Sequence, residues 1–211
     1  MSMFVITADQ IDSRHDRDRA GEMIADLDAH YGDAFTLPPD QTSGDEIQVM
    51  IADAEVALNA LLLLHRSGYW STGLGIGTVR TPLPASTRQA SGDAFIAARN
   101  AVTRAKKADA HAAIDTLPSA ASVLTSDQVE ALLTMLLLLR QRRSDEGWEA
   151  VDLLETGLSQ VEIAASLGIS TAAVSQRVKA AQFRVEQMAR PAIVRLLENL
   201  DRSSSETDIP A

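Results

Sequence analysis

The sequence predicts an α+β protein in two parts: a sheet-and-helix domain, then an all-helical one. Three observations carry this. The first 115 or so residues alternate short β-forming runs with amphipathic helical stretches. A small-residue stretch, Pro118 to Thr125, then interrupts the pattern. Beyond it every periodic segment has helical spacing. The predicted limits are 1–117 for the α+β domain, 118–125 for the linker, 126–200 for the helical domain and 201–211 for a disordered polar tail.

Met3 to Ala8, with Phe-Val-Ile-Thr at its centre, reads as a buried strand that ends at Asp9. Asp18 to His30 has helical spacing at Ala20, Met23, Ile24 and Leu27. Tyr31 to Leu37 reads as a strand, and Pro38-Pro39 as a break. Gln41 to Glu46 is a tight turn, with a strand from Ile47 to Ile51. Asp53 to Arg66 is a helix whose stripe includes Ala57, Leu58, Leu61 and Leu62. Trp70 to Val79 is a strand containing Gly73-Leu-Gly-Ile-Gly77. Those glycines suit close backbone approach or a bulge better than a dinucleotide fingerprint, because no helix follows them directly. A loop follows, in which Arg80 and Arg88 read as solvated cations in preference to phosphate sensors. Gly92 to Ala108 is a helix and His111 to Ile114 a closing strand. This order predicts a ferredoxin-like, antiparallel or mixed sheet with helices on one face.

Four runs carry a family resemblance: Phe4-Val-Ile-Thr-Ala-Asp9, Ser43-Gly44-Asp45-Glu46, Gly73-Leu-Gly-Ile-Gly77 and Gly92-Asp-Ala-Phe-Ile-Ala-Ala-Arg99. In order and spacing they resemble class III nucleotidyl cyclase domains over residues 3–115. The Gly-Asp-Glu turn is also similar to that of diguanylate cyclases. The whole chain, with its helical part, resembles the SatD-type family. The cyclase resemblance implies Asp9 and Asp45 as metal ligands, with Mg2+ and a nucleotide as cofactors. It implies Asp9, Gln10, Ile11, Gly44, Asp45 and Arg99 at the nucleotide. It also implies pairing into a homodimer. The sequence departs from the pattern at two positions: Gln41 stands where the base-reading Lys belongs, and Phe95 where the transition-state Asn belongs. A phenyl ring cannot donate a hydrogen bond to a developing charge. The expectation is a degenerate cyclase-like domain with no catalytic residues. On the residues alone, Asp9 is better read as a turn or capping residue than as a cation ligand.

In the helical part, Ser126 is expected to cap a nearly all-apolar helix, Leu132 to Leu139, that serves as a hub or a dimer seam. Trp148 to Glu155 is a supporting helix, with Trp148, Val151 and Leu154 facing the motif behind it. Ser159 with Glu162 forms a capping box. Val161, Ala164, Ala165 and Leu167 give the next helix a small apolar face, and Gly168 suits the left-handed turn that ends it. Ser170 caps a second helix, with Val174, Val178 and Ala181 inward. This is a helix-turn-helix layout, similar to those of response regulators and sigma-factor region four. It places Ser170, Thr171, Ala172, Ser175, Gln176, Arg177 and Lys179 at double-stranded DNA, the short polar groups at bases and the cations at phosphates. After it, Pro191 is expected to kink or restart a last helix.

The formal charge of −10 argues against a general nucleic-acid coat. From Ile169 to Arg195, however, five basic residues face one acidic residue. Cysteine is absent, which excludes disulfides and thiolate metal sites. With no signal peptide and no long apolar segment, a cytoplasmic protein without a membrane partner is expected. The leading expectation is a DNA-binding transcription regulator whose cyclase-like domain dimerises and binds a nucleotide effector. The alternatives are an active nucleotidyl cyclase with a fused DNA-binding domain, or a protein–protein adaptor.

Overall fold

The computed structural model describes residues 1–42, 44–116 and 124–206, with side chains through Arg202. The predicted linker over 118–123, Ser43 of the turn and residues 207–211 of the tail lie outside the described residues. The fold is α+β. Five strands form one sheet: β1 (Ser2–Gln10), β2 (Phe35–Gln41), β3 (Glu46–Ile51), β4 (Trp70–Thr78) and β5 (Ala112–Thr116), in the order β2-β3-β1-β4-β5. The first four are antiparallel neighbours, and β5 adds parallel to β4. The helices between them are α1 (Ala20–Tyr31), α2 (Ala54–Ser67) and α3 (Asp93–Ala105). The β-α-β-β-α-β core has the expected ferredoxin-like order, extended by α3 and β5.

Helices cover both faces rather than one, and the register shows why. Met3, Val5 and Thr7 of β1 lie opposite Gly77, Gly75 and Gly73. Because side chains alternate across a strand, one face of β4 is therefore bare backbone. Helix α3 sinks onto it with Ala94, Ala97, Ala98, Ala101 and Ala105 buried. A Cβ on Gly73 would lie 2.5 Å from the Ala98 carbonyl, and one on Gly75 would lie 2.7 Å from Ala98 Cα. The opposite pleat carries Gln10, whose amide bonds the Arg17 carbonyl and the Arg19 N–H ahead of α1.

Pro38 and Pro39 do not break the chain; both lie inside β2. That strand is an edge, and its pairing with β3 shifts register between Leu37 and Asp40, so missing N–H groups cost little there.

The remaining helices are α4 (Ser126–Gln141), α5 (Asp145–Glu155), α6 (Gln160–Leu167), α7 (Thr171–Ala180) and α8 (Phe183–Glu206). Helix α4 begins at Ser126, and its first turn is met by Thr125 Oγ1, which accepts from Gln128 N–H at 3.4 Å. Pro191 sits inside one continuous α8 rather than restarting it.

The chain divides into two compact units, Met1–Thr134 with Ile193–Ala211, and Met135–Ala192. The division therefore falls inside α4 and α8 rather than at the predicted linker. Side chains early in α4 and late in α8 explain it. The Glu130 carboxylate accepts from Ile114 N–H at 2.7 Å and from Arg104 at 2.8 Å. Asp201, in the predicted tail, accepts from the Ser2 hydroxyl of β1. No helix among the described residues is long and apolar enough to cross a membrane.

Candidate nucleic-acid interface

In the second unit, α6 and α7 pack on α5 through a core of Ala150, Ile163, Ala164, Val174 and Val178, with Leu153, Leu154 and Phe183 at its edge. Local sequence sets each end. Ser159 Oγ accepts from Glu162 N–H at 3.3 Å, and the Glu162 carboxylate accepts from Ser159 N–H at 2.8 Å, completing the capping box. The Ser159 N–H first, and second its hydroxyl, which donates to the carboxylate at 2.7 Å, hold the Glu162 carboxyl below its usual range. Gly168 ends α6 at φ 65°, a left-handed conformation that suits glycine. Ser170 Oγ accepts from Ala173 N–H at 3.1 Å and starts α7.

Burial then sorts α7. Val174 and Val178 are inward, and Thr171, Ala172, Ser175, Gln176 and Lys179 are exposed, with Ser170 exposed at the cap. Several expected placements change, and Ala165 of α6 is exposed. Val161 is 68% exposed, and Ile163 takes the inward position of α6. Arg177 is not on the open face: its Nη1 donates to Glu149 of α5 at 2.7 Å, and its side chain is only 26% exposed.

Trp148 does not face the α6–α7 core either. Its ring lies under the guanidinium groups of Arg140 and Arg143, at 4.8 and 4.2 Å. Both arginines bind the fully buried Glu186 of α8, Arg143 at 2.7 Å. Arg143 also donates twice to the Ala181 carbonyl, at 3.1 and 2.8 Å, just past the last turn of α7. Burial lowers the pKa of Arg140, and the Glu186 charge works against that. This buried group fixes the exit of α7. It was not anticipated from sequence, since its partners lie 38 to 46 residues apart.

In the first unit, Asp9 and Glu46 each meet a cation. Asp9 shares its pleat with Glu46, not with Asp45, and Lys106 of α3 donates to Asp9 at 2.7 Å. Glu46 takes Arg99 at 3.4 Å and the Thr42 hydroxyl at 2.7 Å. No group of three or more His, Asp or Glu side chains suited to a metal ion occurs among the described residues. Asp9 thus already faces an ammonium, while Asp45 stands in the turn ahead of β3.

Gln10 is spent on α1, and Ile11 N–H donates to the Tyr69 carbonyl. Gly44 makes the turn at φ 63°, and the Gln41 amide folds back onto its carbonyl. A cavity of about 760 Å3 opens instead at the start of α3. Arg80, Arg88 and Arg99 line it with Phe95, Ile96 and Ser91. Of the six expected nucleotide contacts only Arg99 lies there.

No family model and no curated protein matches the chain. Among solved structures it is similar to a regulator of polyketide synthase expression from Bifidobacterium adolescentis, at 14% identity and a TM-score of 0.26, over 99% of this chain and 87% of that one. A likeness of that size carries no argument about function, and the cyclase and SatD-type resemblances rest on the residues that suggest them.

Proposed function

We propose that the protein is a DNA-binding transcription regulator, with α7 lying in the major groove. One observation carries this reading. A helix of ten residues is capped by Ser170, entered through a left-handed glycine, packed by Val174 and Val178, and exposed along Thr171, Ala172, Ser175, Gln176 and Lys179. Hydroxyl and amide groups at the first turns suit base edges.

The first unit, in this reading, pairs two copies so that two α7 helices meet two half-sites. It also takes a nucleotide effector. The cavity at α3 supports the effector: it has the size of a small-molecule site, three arginines for phosphate and the Phe95 ring for a base. Phe95, Gln41 and the Lys106–Asp9 pair all speak against turnover.

Selection of duplexes from a random pool by the full chain, followed by fluorescence anisotropy, tests the reading. Enrichment of a two-fold symmetric sequence is expected, with affinity reduced at least tenfold in Ser175→Ala/Lys179→Ala. Absence of enrichment and of binding near 50 mM salt, or an unchanged affinity in the double variant, would refute it. Chromatography after incubation with ATP or GTP and Mg2+ tests the enzymatic alternative, and no cyclic product is expected.

A further inference from the structure

A second cavity, of about 310 Å3, adjoins α7. Its lining includes Gln160 at the start of α6, Ser175 and Lys179 of α7, Gln182 in the break that follows, and Arg184 and Val185 of α8. None of the lining residues is acidic. Two cations, two carboxamides and a hydroxyl converge, all able to donate. Such a set fits an oxyanion with several acceptor oxygens.

The backbone makes this set by an unusual step. Gln182 has φ 53°, a left-handed conformation that residues other than glycine rarely adopt. That step ends α7 and starts α8 one residue later, which places Arg184 beside Lys179. Strain of this kind persists where surrounding structure holds it. Here Arg143 holds it, through both bonds to the Ala181 carbonyl. Meanwhile Arg177, the arginine of α7 itself, is turned toward Glu149.

We infer that this notch seats a backbone phosphate of the duplex read by α7. Lys179 and Arg184 supply the charge, and Gln160 and Gln182 supply further donors. The inference rests on the DNA reading above and adds to it which residues set the register of the helix. Ser175 and Lys179 belong to both surfaces, so a phosphate in the notch lies alongside the bases that α7 faces. Contacts to phosphate position a protein on its duplex without reading sequence. Arg184 and Gln182 therefore act on affinity for every duplex equally.

The experiment uses the full chain and a mixed-sequence duplex of about two turns, so no operator need be known. Dissociation constants are measured by anisotropy across a series of KCl concentrations. Each cation that touches a phosphate contributes roughly 0.9 to the slope of log K against log salt. Arg184→Gln and Lys179→Gln are each expected to reduce that slope by about 0.9, and Arg177→Gln is expected to leave it unchanged. Gln182→Gly relieves the backbone while removing the amide; it is expected to melt no lower than the parent and to bind several-fold more weakly. Circular dichroism confirms the fold of each variant. Binding whose slope ignores Arg184→Gln, or falls with Arg177→Gln, overturns the inference and leaves the DNA reading standing. Failure of the unsubstituted protein to bind any duplex at low salt overturns both.

Discussion

Glu186→Gln tests how α7 is held. The carboxylate is fully buried, and the side chains of its partners Arg140 and Arg143 are 7% and 0% exposed. Glutamine keeps the shape and one acceptor but removes the charge, leaving two neighbouring guanidinium groups in a dry site with no anion. Removing one partner of a buried ion pair costs about 3–5 kcal/mol. That is a large part of the roughly 5–15 kcal/mol that holds a domain together. Trp148 lies on both arginines, so its fluorescence reports on the group directly. In a Trp70→Phe background it is the only tryptophan left. With a urea dependence near 2 kcal/mol per molar, the midpoint is expected to fall by about 1.5 M or more. Replacing the whole group, as Arg140→Leu/Arg143→Met/Glu186→Leu, is expected to recover much of that loss, because an apolar trio of similar volume has no desolvation to offset. A midpoint change below about 0.3 M, well under the cost of an unpaired buried charge, would show that water reaches these groups and that α7 is fixed by something else.

Three further outcomes follow from other parts of the molecule. Gly75→Ala would place a methyl against the backbone of α3 at Ala94 and Ala98, so a loss at or above the usual 1–3 kcal/mol of overpacking is expected in thermal or urea unfolding. Burial raises the Asp201 carboxyl above its ordinary 3.8, with the Ser2 hydroxyl opposing. A raised carboxyl favours the folded state below its unfolded value and loses that advantage as pH rises through the folded value. Asp201→Asn is thus expected to melt with the parent near pH 3.5 and above it at pH 7, as scanning calorimetry would show. Glu149→Gln releases Arg177, and if the open face of α7 meets a duplex the salt slope should steepen by up to about 0.9.

The parts of this fold that were legible in the sequence are those written locally. The capping box at Ser159, the glycine at 168 and the cap at Ser170 each act over three or four residues, and each forms as the residue types require. The alternation of short strands with amphipathic helical stretches was enough for the order of elements. The missed ion pairs share one cause, pairing over long separations. Glu149 lies 28 residues from Arg177, and Asp9 lies 97 from Lys106. No periodicity within either segment reveals that a carboxylate from elsewhere will neutralise the cation. The prolines of β2 misled for a related reason: whether a strand is an edge depends on the sheet order, not on the strand. Gly73, Gly75 and Gly77 did signal close approach, but not that the approaching helix would occupy a second face.

The charge distribution separates the two units more sharply than the local count near α7 does. Residues 135–192 contain seven basic and seven acidic side chains, so the net −10 of the chain resides entirely in the other unit. If α7 meets DNA as proposed, a neutral second unit gains little from long-range attraction to a polyanion, and beyond about 8 Å physiological salt screens both attraction and repulsion. Binding then depends on which cations reach phosphate at contact distance. The ion pairs of Arg177 and Arg190 and the burial of Arg140 and Arg143 withdraw four of the seven; of the remaining three, Lys179 and Arg184 gather in one notch beside α7. On the proposed DNA reading, two such cations beside each α7 imply a weak, shallow salt dependence on random DNA, and specificity that comes from Ser175, Gln176 and their neighbours. That balance suits a regulator confined to few sites, whereas a coat protein would spend its arginines on the outside.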